Sequence, residues 1–291
     1  MVENYDTFFC SGKGGVGKST VSSAIGVKLA EKGYRTLVVS LDPAHSLSLT
    51  FDRKIGEKPT KVVENLYAVE FNVEKEIKNY LERVKREARE ILSPVVLSEI
   101  EKQIELAYYS PGAFDLATLD LMYRTAILER GKFEKVVFDT APSGFTVRLL
   151  SSPQISEKWL EGLINLRKES LKYRKMAGGT EVESDPVVRI LRKRLNQIRE
   201  LRKLVFSPRT LFSIVVNPET LTVEIGRRTL LELRNLGIVV RLIVANKIES
   251  KEELSKIERE FKKYRTEFLV IPKKGKEPKG VESLRSIAFG L

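Results

Sequence analysis

Cysteine and histidine, two of the residues that bind metals most often, are nearly absent from this sequence. The 291 residues contain one cysteine and one histidine. A single thiol excludes an internal disulfide, and cysteine alone supplies no metal site within one chain. The tight, Cys-rich scaffolds of small secreted domains are therefore excluded.

Long apolar runs are also missing. The longest stretches, such as Phe212–Val216 and Ile238–Ala245, fall far short of the roughly 20 residues that a membrane-spanning helix needs. Met1–Asp6 has no basic segment leading into an apolar core, so we expect no secretory signal. Hydrophobic residues make up 42% of the chain, which is typical of a globular protein. These observations predict a cytoplasmic location.

Positive charge is in excess and unevenly distributed. The net charge is +12, and Lys158–Arg209 holds 14 Lys and Arg against 6 Asp and Glu. Such a segment can bind nucleic acid, acidic partners or anionic membrane surfaces. A solvated helix face is the simpler interpretation.

Short β-branched or aromatic runs alternate with helical patterns along most of the chain. The predicted strands are Thr7–Cys10, Thr36–Leu41, Tyr67–Phe71, Val136–Phe138, Phe212–Val216, Val239–Val244 and Phe268–Ile271. A helix is predicted from Lys18 to about Lys32. This alternation predicts an α/β fold with a mostly parallel sheet flanked by helices.

Two long helical stretches interrupt the alternation. They cover Glu74–Arg130 and Gln154–Ser207, and we predict that they form one all-helical subdomain, built from inserts at about 74–130 and 154–207 of a single domain spanning residues 1–291. In the second stretch, apolar residues recur at steps of three and four and form one stripe of a helix: Val188, Leu191, Leu195, Ile198, Leu201 and Val205.

A glycine-rich loop follows the first strand and opens the first helix. Its residues are Gly12, Lys13, Gly14, Gly15, Val16, Gly17, Lys18, Ser19 and Thr20, which fit the pattern G-x-x-x-x-G-K-[ST] of a P-loop. Backbone N–H groups and the helix N-terminus would cradle the phosphates of ATP. Lys18 would contact the β- and γ-phosphates, and the Ser19 hydroxyl would bind Mg²⁺. Lys13 is a second lysine, and it either reaches a phosphate across a dimer interface or is a solvated loop residue.

Two aspartates follow strands at the edge where ligands bind in open α/β sheets. Asp42 ends the second strand and could orient or deprotonate the attacking water, or cap the turn before Pro43. Asp139 ends the strand Val136–Phe138, an arrangement that holds magnesium or one of its waters, although a turn-capping role is the alternative. His45 receives no chemical role.

These segments together resemble one family. The Lys-Gly-Gly-x-Gly-Lys-Ser loop is similar to that of the deviant Walker A ATPases. Asp42–Ser48 and Asp139–Leu150 resemble the branch that contains arsenite-pump ATPases and the targeting factors for tail-anchored membrane proteins. The likeness continues through Asn217-Pro218-Glu219, Ala245-Asn246-Lys247 and Pro272.

The resemblance implies roles for the matching positions. Lys13 is implied to cross a homodimer to the opposite nucleotide, Asp42 to position water, and Asp139 to lie near magnesium. We expect both aspartates to bind Mg²⁺ through water. Asn246 and Pro272 are implied to contact the adenine base. Phe145 departs from the pattern, since many relatives carry histidine there. No Cys-x-x-Cys is present, so we expect no zinc.

The favoured function is an ATP-hydrolysing homodimer that shields and delivers tail-anchored proteins, with a membrane receptor as a further partner and no nucleic acid. Candidate groove residues are Leu92, Val95, Val96, Leu97 and Ile100, with Trp159, Leu160, Leu163 and Ile164; ordinary core packing is their alternative role. A second possibility is the ATPase of an arsenite pump, but arsenite needs several thiolates and Cys10 is alone. A third is a positioning ATPase of the Min or Par type, acting on membrane or DNA.

Overall fold

The computed structural model describes residues 2–42, 46–90, 97, 101, 105–106, 108–109, 111–175 and 185–288. These residues form two compact units. The first, here called the sheet unit, comprises Met1–Asn72, Leu128–Arg148 and Leu204–Leu291; the second, the helical unit, comprises Val73–Ile127 and Leu149–Lys203. We predict that the helical unit is an insert within a single P-loop domain, built from residues at about 74–130 and 154–207. This stays a prediction.

The strands belong to the sheet unit. They are β1 (Thr7–Ser11), β2 (Thr36–Ser40), β3 (Thr60–Val63), β4 (Leu66–Glu70), β5 (Lys135–Asp139), β6 (Thr210–Val216), β7 (Val240–Ile248) and β8 (Glu267–Pro272). They form one eight-stranded sheet in the order β3-β4-β2-β5-β1-β6-β7-β8. Every neighbouring pair is parallel except β3 with β4. The predicted α/β class with a mostly parallel sheet is confirmed.

The helices are α1 (Lys18–Glu31), α2 (Ser46–Thr50), α3 (Val73–Arg89), α4 (Pro111–Tyr123), α5 (Ser143–Lys175), α6 (Pro186–Val205), α7 (Thr220–Asn235), α8 (Lys251–Phe261) and α9 (Gly280–Ala288). A π-helical turn, Arg124–Leu128, follows α4. No helix in the described part of the chain is both long and apolar enough to cross a bilayer.

The centre of the sheet is buried and packs around three stacked aromatic rings. All five residues of β1 are buried, and the ring of Phe9 stacks between those of Phe138 and Phe212 at centroid distances of 4.9 and 4.8 Å. Cys10 and Ser40 both lie opposite Asp139 in the parallel ladders. The carboxyl ends of β1, β2 and β5 are therefore level, and the loops that follow them begin side by side.

The structure differs from the sequence-based prediction at two elements. The fifth helix begins at Ser143 and includes Pro153, so it starts well before the predicted Gln154. The edge strand β3 was not predicted, because Thr60–Val63 is short and largely solvent-facing and therefore lacks a buried-strand pattern. The predicted apolar stripe of α6 is confirmed as core: all its members except Leu191, which is half-buried, are buried.

Many basic side chains in the described part of the helical unit are paired within that unit. Glu87 binds Lys193 and Arg194, and Glu157 binds Arg199 and Arg202. A more buried cluster joins α3 to α4 and to the π-helical turn: Glu76 and Asp120 accept from Arg83 and Arg124. The excess of positive residues in the sequence therefore overstates the positive charge that is unpaired on this surface.

Candidate functional site

The glycine-rich loop lies between β1 and α1, and two of its glycines are there because nothing larger fits. A Cβ on Gly12 would lie 2.5 Å from the carbonyl oxygen of Val215 in β6. Gly17 has a φ of +98°, in the left-handed region, and its Cβ would lie 2.4 Å from Asn246 Nδ2. L-residues with side chains avoid this region. The loop is thus pressed against the neighbouring strands β6 and β7.

Lys18 and Ser19 occupy the first turn of α1, where the backbone N–H groups have no partners within the helix. Lys18 is buried, and its ammonium donates to the Lys13 carbonyl oxygen at 3.3 Å. The Lys18 side chain therefore folds back onto the glycine-rich loop. The helix N-terminus adds a positive dipole, so the loop is suited to bind phosphate.

Asp139 is fully buried at the end of β5. Its Oδ2 accepts from the Ser46 hydroxyl at 3.2 Å, and its Oδ1 has no hydrogen-bond partner among the described residues. Burial raises the pKa of this carboxyl to about 6, against the lowering effects of the Ser19 hydroxyl and the Lys18 charge. A nearby cation would strongly stabilise the ionised form of such a buried carboxyl group.

The oxygens around Asp139 suit a magnesium ion. The hydroxyls of Ser19 and Ser46 lie 2.6 Å apart, and Ser46 also contacts the carboxylate. Mg²⁺ prefers such hard oxygen ligands and usually keeps several waters. The unpaired Asp139 Oδ1 is an acceptor that a bound water could use. Among the described residues, no group of three or more His, Cys, Asp or Glu side chains could hold a metal ion, so this cluster would depend on hydroxyls and phosphate oxygens.

Asp42 and Lys13 lie at the same edge of the sheet. Asp42 is half-buried, follows β2 directly, and its backbone N–H and C=O both contact the Ser40 hydroxyl at 3.3 Å. Its negative charge contributes to the raised pKa of Asp139, so the two carboxyl groups share one electrostatic environment. Lys13 is half-buried within the loop, and Thr20 is half-buried in α1. Pro43, Ala44 and His45 lie outside the described residues.

Asn246 contacts the phosphate loop itself. Its Nδ2 donates to the Val16 carbonyl oxygen at 2.7 Å, and its Oδ1 accepts from the Lys247 N–H at 3.0 Å. Lys247 has a φ of +61° and directs Nζ to the Gly15 carbonyl oxygen at 3.4 Å. Pro272 is exposed at the end of β8, opposite Ile248. The end of β7 therefore holds the loop in shape, and contact of Asn246 and Pro272 with adenine stays a prediction.

Sequence reasoning assigned no role to Ser46 and Glu70, two residues that contribute to this edge. Ser46 bridges Ser19 and Asp139, and buried Glu70 accepts from the backbone of Leu47 and Ser48. A glutamate that ends an otherwise apolar strand was the available signal for Glu70. For Ser46, the signal was its place within Asp42–Ser48, one of the segments that carry the family resemblance.

A phosphate-cradling loop between a central parallel strand and a helix, with a buried aspartate at the end of the adjacent strand, defines a P-loop nucleotide hydrolase. Comparison of the sequence with known families agrees. Residues 5–287 match the family model described as anion-transporting ATPase, and the chain belongs to this family. It is accordingly an ATPase that binds ATP.

Similar proteins come from several organisms. An Aquifex aeolicus protein provisionally named arsenical pump-driving ATPase 2 is 33% identical over 260 residues, which cover 88% of this chain and 85% of that protein. The ATPase ASNA1 homolog 1 of Paramecium tetraurelia is 31% identical over 255 residues, covering 82% of this chain and 74% of the other. An ATPase ASNA1 homolog of Entamoeba dispar is 31% identical over 248 residues, covering 82% and 75%.

Proposed function

We propose that this protein is a magnesium-dependent ATPase that works as a homodimer and shields and delivers tail-anchored membrane proteins. The cluster of Ser19, Ser46 and Asp139 beside the glycine-rich loop is the observation that carries the magnesium-dependent chemistry. The ATPase part of the proposal is supported by this edge of the sheet, and the client part is supported by the helical unit.

In the proposed reaction the loop binds the triphosphate through its backbone N–H groups, and Lys18 leaves the Lys13 carbonyl to bind the β- and γ-phosphates. Magnesium, held by Ser19 and near Asp139, would neutralise charge on these phosphates. Asp42 orients the attacking water and accepts its proton; the water oxygen bonds to the γ-phosphorus while the bond from that phosphorus to the β–γ bridging oxygen breaks, and ADP leaves with that oxygen. Lys13 extends to the nucleotide of the partner subunit and stabilises transition-state charge, as an arginine finger does.

The client proposal is supported by an apolar cavity within the helical unit. The cavity has a volume of about 280 Å³ and is lined mainly by apolar or aromatic side chains, including Val84, Leu119, Tyr123 and Leu160. Leu116 and Trp159, which also line it, are 43% and 64% exposed. A tryptophan with an open face beside an apolar cavity is suited to bind an apolar helix.

The predicted groove residues divide into three groups. Trp159 is exposed, whereas Leu160 and Ile164 are buried and Leu163 is half-buried, so the last three serve the core at least in part. Leu97 is a half-buried helical residue. Leu92, Val95, Val96 and Ile100 lie outside the described residues.

Capture of a tail-anchored client tests this proposal. The protein would be co-expressed with a tagged tail-anchored substrate, and the complex recovered and quantified in the presence of ATP. Trp159→Glu should lower recovery at least about fivefold while ATPase activity persists, because it puts charge on an apolar contact surface. Leu221→Glu, at a 58% exposed position of the sheet unit, is the matched control and should capture normally. No capture by active wild-type protein would refute the client role.

The two other functions are less well supported. Cys10 is fully buried, burial raises its pKa to about 12, and the sequence has no other cysteine, so it is poorly suited to bind arsenite. A DNA-bound positioning ATPase would use unpaired cations, but Lys193, Arg194, Arg199 and Arg202 already bind carboxylates. Salt-sensitive DNA binding without client capture would favour that alternative.

A further inference from the structure

Glu70 is a buried carboxylate that the proposed ATPase reaction does not use. It is the last residue of β4, is 5% exposed, and forms no ion pair with any described residue. Burying a charged group without compensation is very unfavourable. The contacts of Glu70 therefore have to account for its presence.

Those contacts all lie in α2 and the segment after it. Oε1 accepts from the N–H of Leu47 at 2.5 Å and of Ser48 at 3.0 Å, and Oε2 accepts from the Ser48 hydroxyl. The Ser48 oxygen in turn accepts from the N–H of Ile55 at 3.0 Å, and the Glu70 N–H donates to the Gly56 carbonyl at 3.0 Å. One carboxylate thus ties the first turn of α2, and the chain that follows it, to the sheet.

Ser46 is the residue directly before this anchored turn. Its hydroxyl lies 2.6 Å from that of Ser19 and 3.2 Å from Asp139 Oδ2, and its carbonyl accepts from the Thr50 hydroxyl at 2.8 Å. A five-residue helix has too few internal hydrogen bonds to hold its own position. The Ser46 hydroxyl can stay against both partners only if α2 is held from outside.

We propose that Glu70 is a positioning residue for the magnesium-nucleotide site: by anchoring α2 it holds the Ser46 hydroxyl against Ser19 and Asp139, and so sets the magnesium dependence of nucleotide binding. This inference rests on the proposed function, since it assumes that Ser19 and Asp139 hold the ion. Ser46 acts on the site directly, and Glu70 acts through Ser46.

The experiment measures binding of a fluorescent, non-hydrolysable ATP analogue to the full chain, titrated with Mg²⁺ and repeated with EDTA. Ser46→Ala and Glu70→Ala should each raise the Mg²⁺ concentration for half-maximal binding about tenfold. They should leave EDTA binding within about twofold, because Lys18 and the loop are unchanged. Glu70→Gln should restore near-normal Mg²⁺ dependence, since its carbonyl oxygen can still accept from both N–H groups.

The double variant Ser46→Ala with Glu70→Ala decides whether the two residues act as one unit. If they do, the double variant is no worse than Glu70→Ala alone, because residues in one network are not additive. Glu64→Ala, at an exposed carboxylate in the turn before β4, controls for loss of charge. If Glu70→Ala does not fold, Ser48→Ala is the substitute, because it removes one of the three hydrogen bonds that anchor α2 to Glu70. It should raise the Mg²⁺ concentration for half-maximal binding about threefold.

Two results would overturn the inference. One is a Glu70→Ala or Ser48→Ala protein that loses binding equally with Mg²⁺ and with EDTA, which is the behaviour of a residue needed only for folding. The other is additive effects in the double variant. A wild-type protein whose binding ignores Mg²⁺ would instead refute the proposed function, so the two failures are distinguishable.

Discussion

Replacing Asp139 with asparagine should stabilise the metal-free protein at neutral pH while abolishing its activity. Burial raises the pKa of this carboxyl from its ordinary value of 3.8 to about 6, and the Ser19 hydroxyl, the Lys18 charge and the Ser46 hydroxyl only partly offset that effect. The folded state therefore holds a proton more tightly than the unfolded chain does. The contribution of this protonated carboxyl to the free energy of unfolding is fully present below pH about 4 and is lost as the pH rises through about 6.

The magnitude follows from the two pKa values. Each pKa unit corresponds to about 1.4 kcal/mol, so the ionised carboxylate lowers the free energy of unfolding by at most about 3 kcal/mol at pH 8. Asparagine has a similar shape and does not titrate. Relative to wild type, Asp139→Asn should therefore gain stability mainly between pH 4 and pH 6, and the difference should level off above pH about 7.

The assay is urea unfolding in EDTA at pH 4, 5, 6, 7 and 8, on wild type and Asp139→Asn. Asp52→Asn, at an exposed position, is the control and should keep the wild-type pH slope. Adding Mg²⁺ and nucleotide should reverse the order, because the ion binds the folded wild-type protein and stabilises it by mass action. Parallel pH profiles for wild type and Asp139→Asn in EDTA would refute the reasoning that burial dominates at this carboxyl.

The remaining predictions concern the loop and the two charged residues beside it. Gly17→Ala should weaken ATP binding at least about tenfold, since the left-handed backbone costs roughly 1–2 kcal/mol and the new Cβ meets Asn246 at 2.4 Å. Gly131→Ala, outside the loop and with open space at Cβ, should bind normally in the same fluorescence titration, and equal effects would contradict this. Asp42→Asn should keep ATP affinity but lower the rate of phosphate release at least about a hundredfold, and wild-type turnover would remove Asp42 from the mechanism. Co-expression of Lys13→Ala with Asp42→Asn, each inactive alone, should restore activity, because the mixed dimer has one site with an intact Asp42 and a Lys13 from the partner subunit; no recovery would argue against action across a dimer.

The sheet and the loop were predictable because their signals are local. A short apolar strand, a glycine pattern and a helix cap lie within Thr7–Glu31, and each is legible in the sequence. Asp42 and Asp139 could be assigned to one edge because parallel strands end together, and the register of Ser40 with Asp139 bears this out.

The contacts between loops could not be predicted, because they depend on residues far apart in sequence. Ser46 lies 27 positions from Ser19 and 93 from Asp139, and no spacing rule relates them. The contact of Asn246 with Val16 spans 230 positions. Ion pairs of the basic residues could not be predicted either, since Arg194 and its partner Glu87 are 107 positions apart. Composition alone therefore suggested more unpaired basic side chains than the described part of the helical unit has.

Isothermal titration of the purified protein with a non-hydrolysable ATP analogue, in Mg²⁺ and then in EDTA, tests the central claim most directly. A loop that grips the triphosphate beside Ser19 and Asp139 predicts saturable binding of one nucleotide per chain that weakens strongly when the ion is removed. Binding of equal strength in both buffers, or no binding at all, would contradict it.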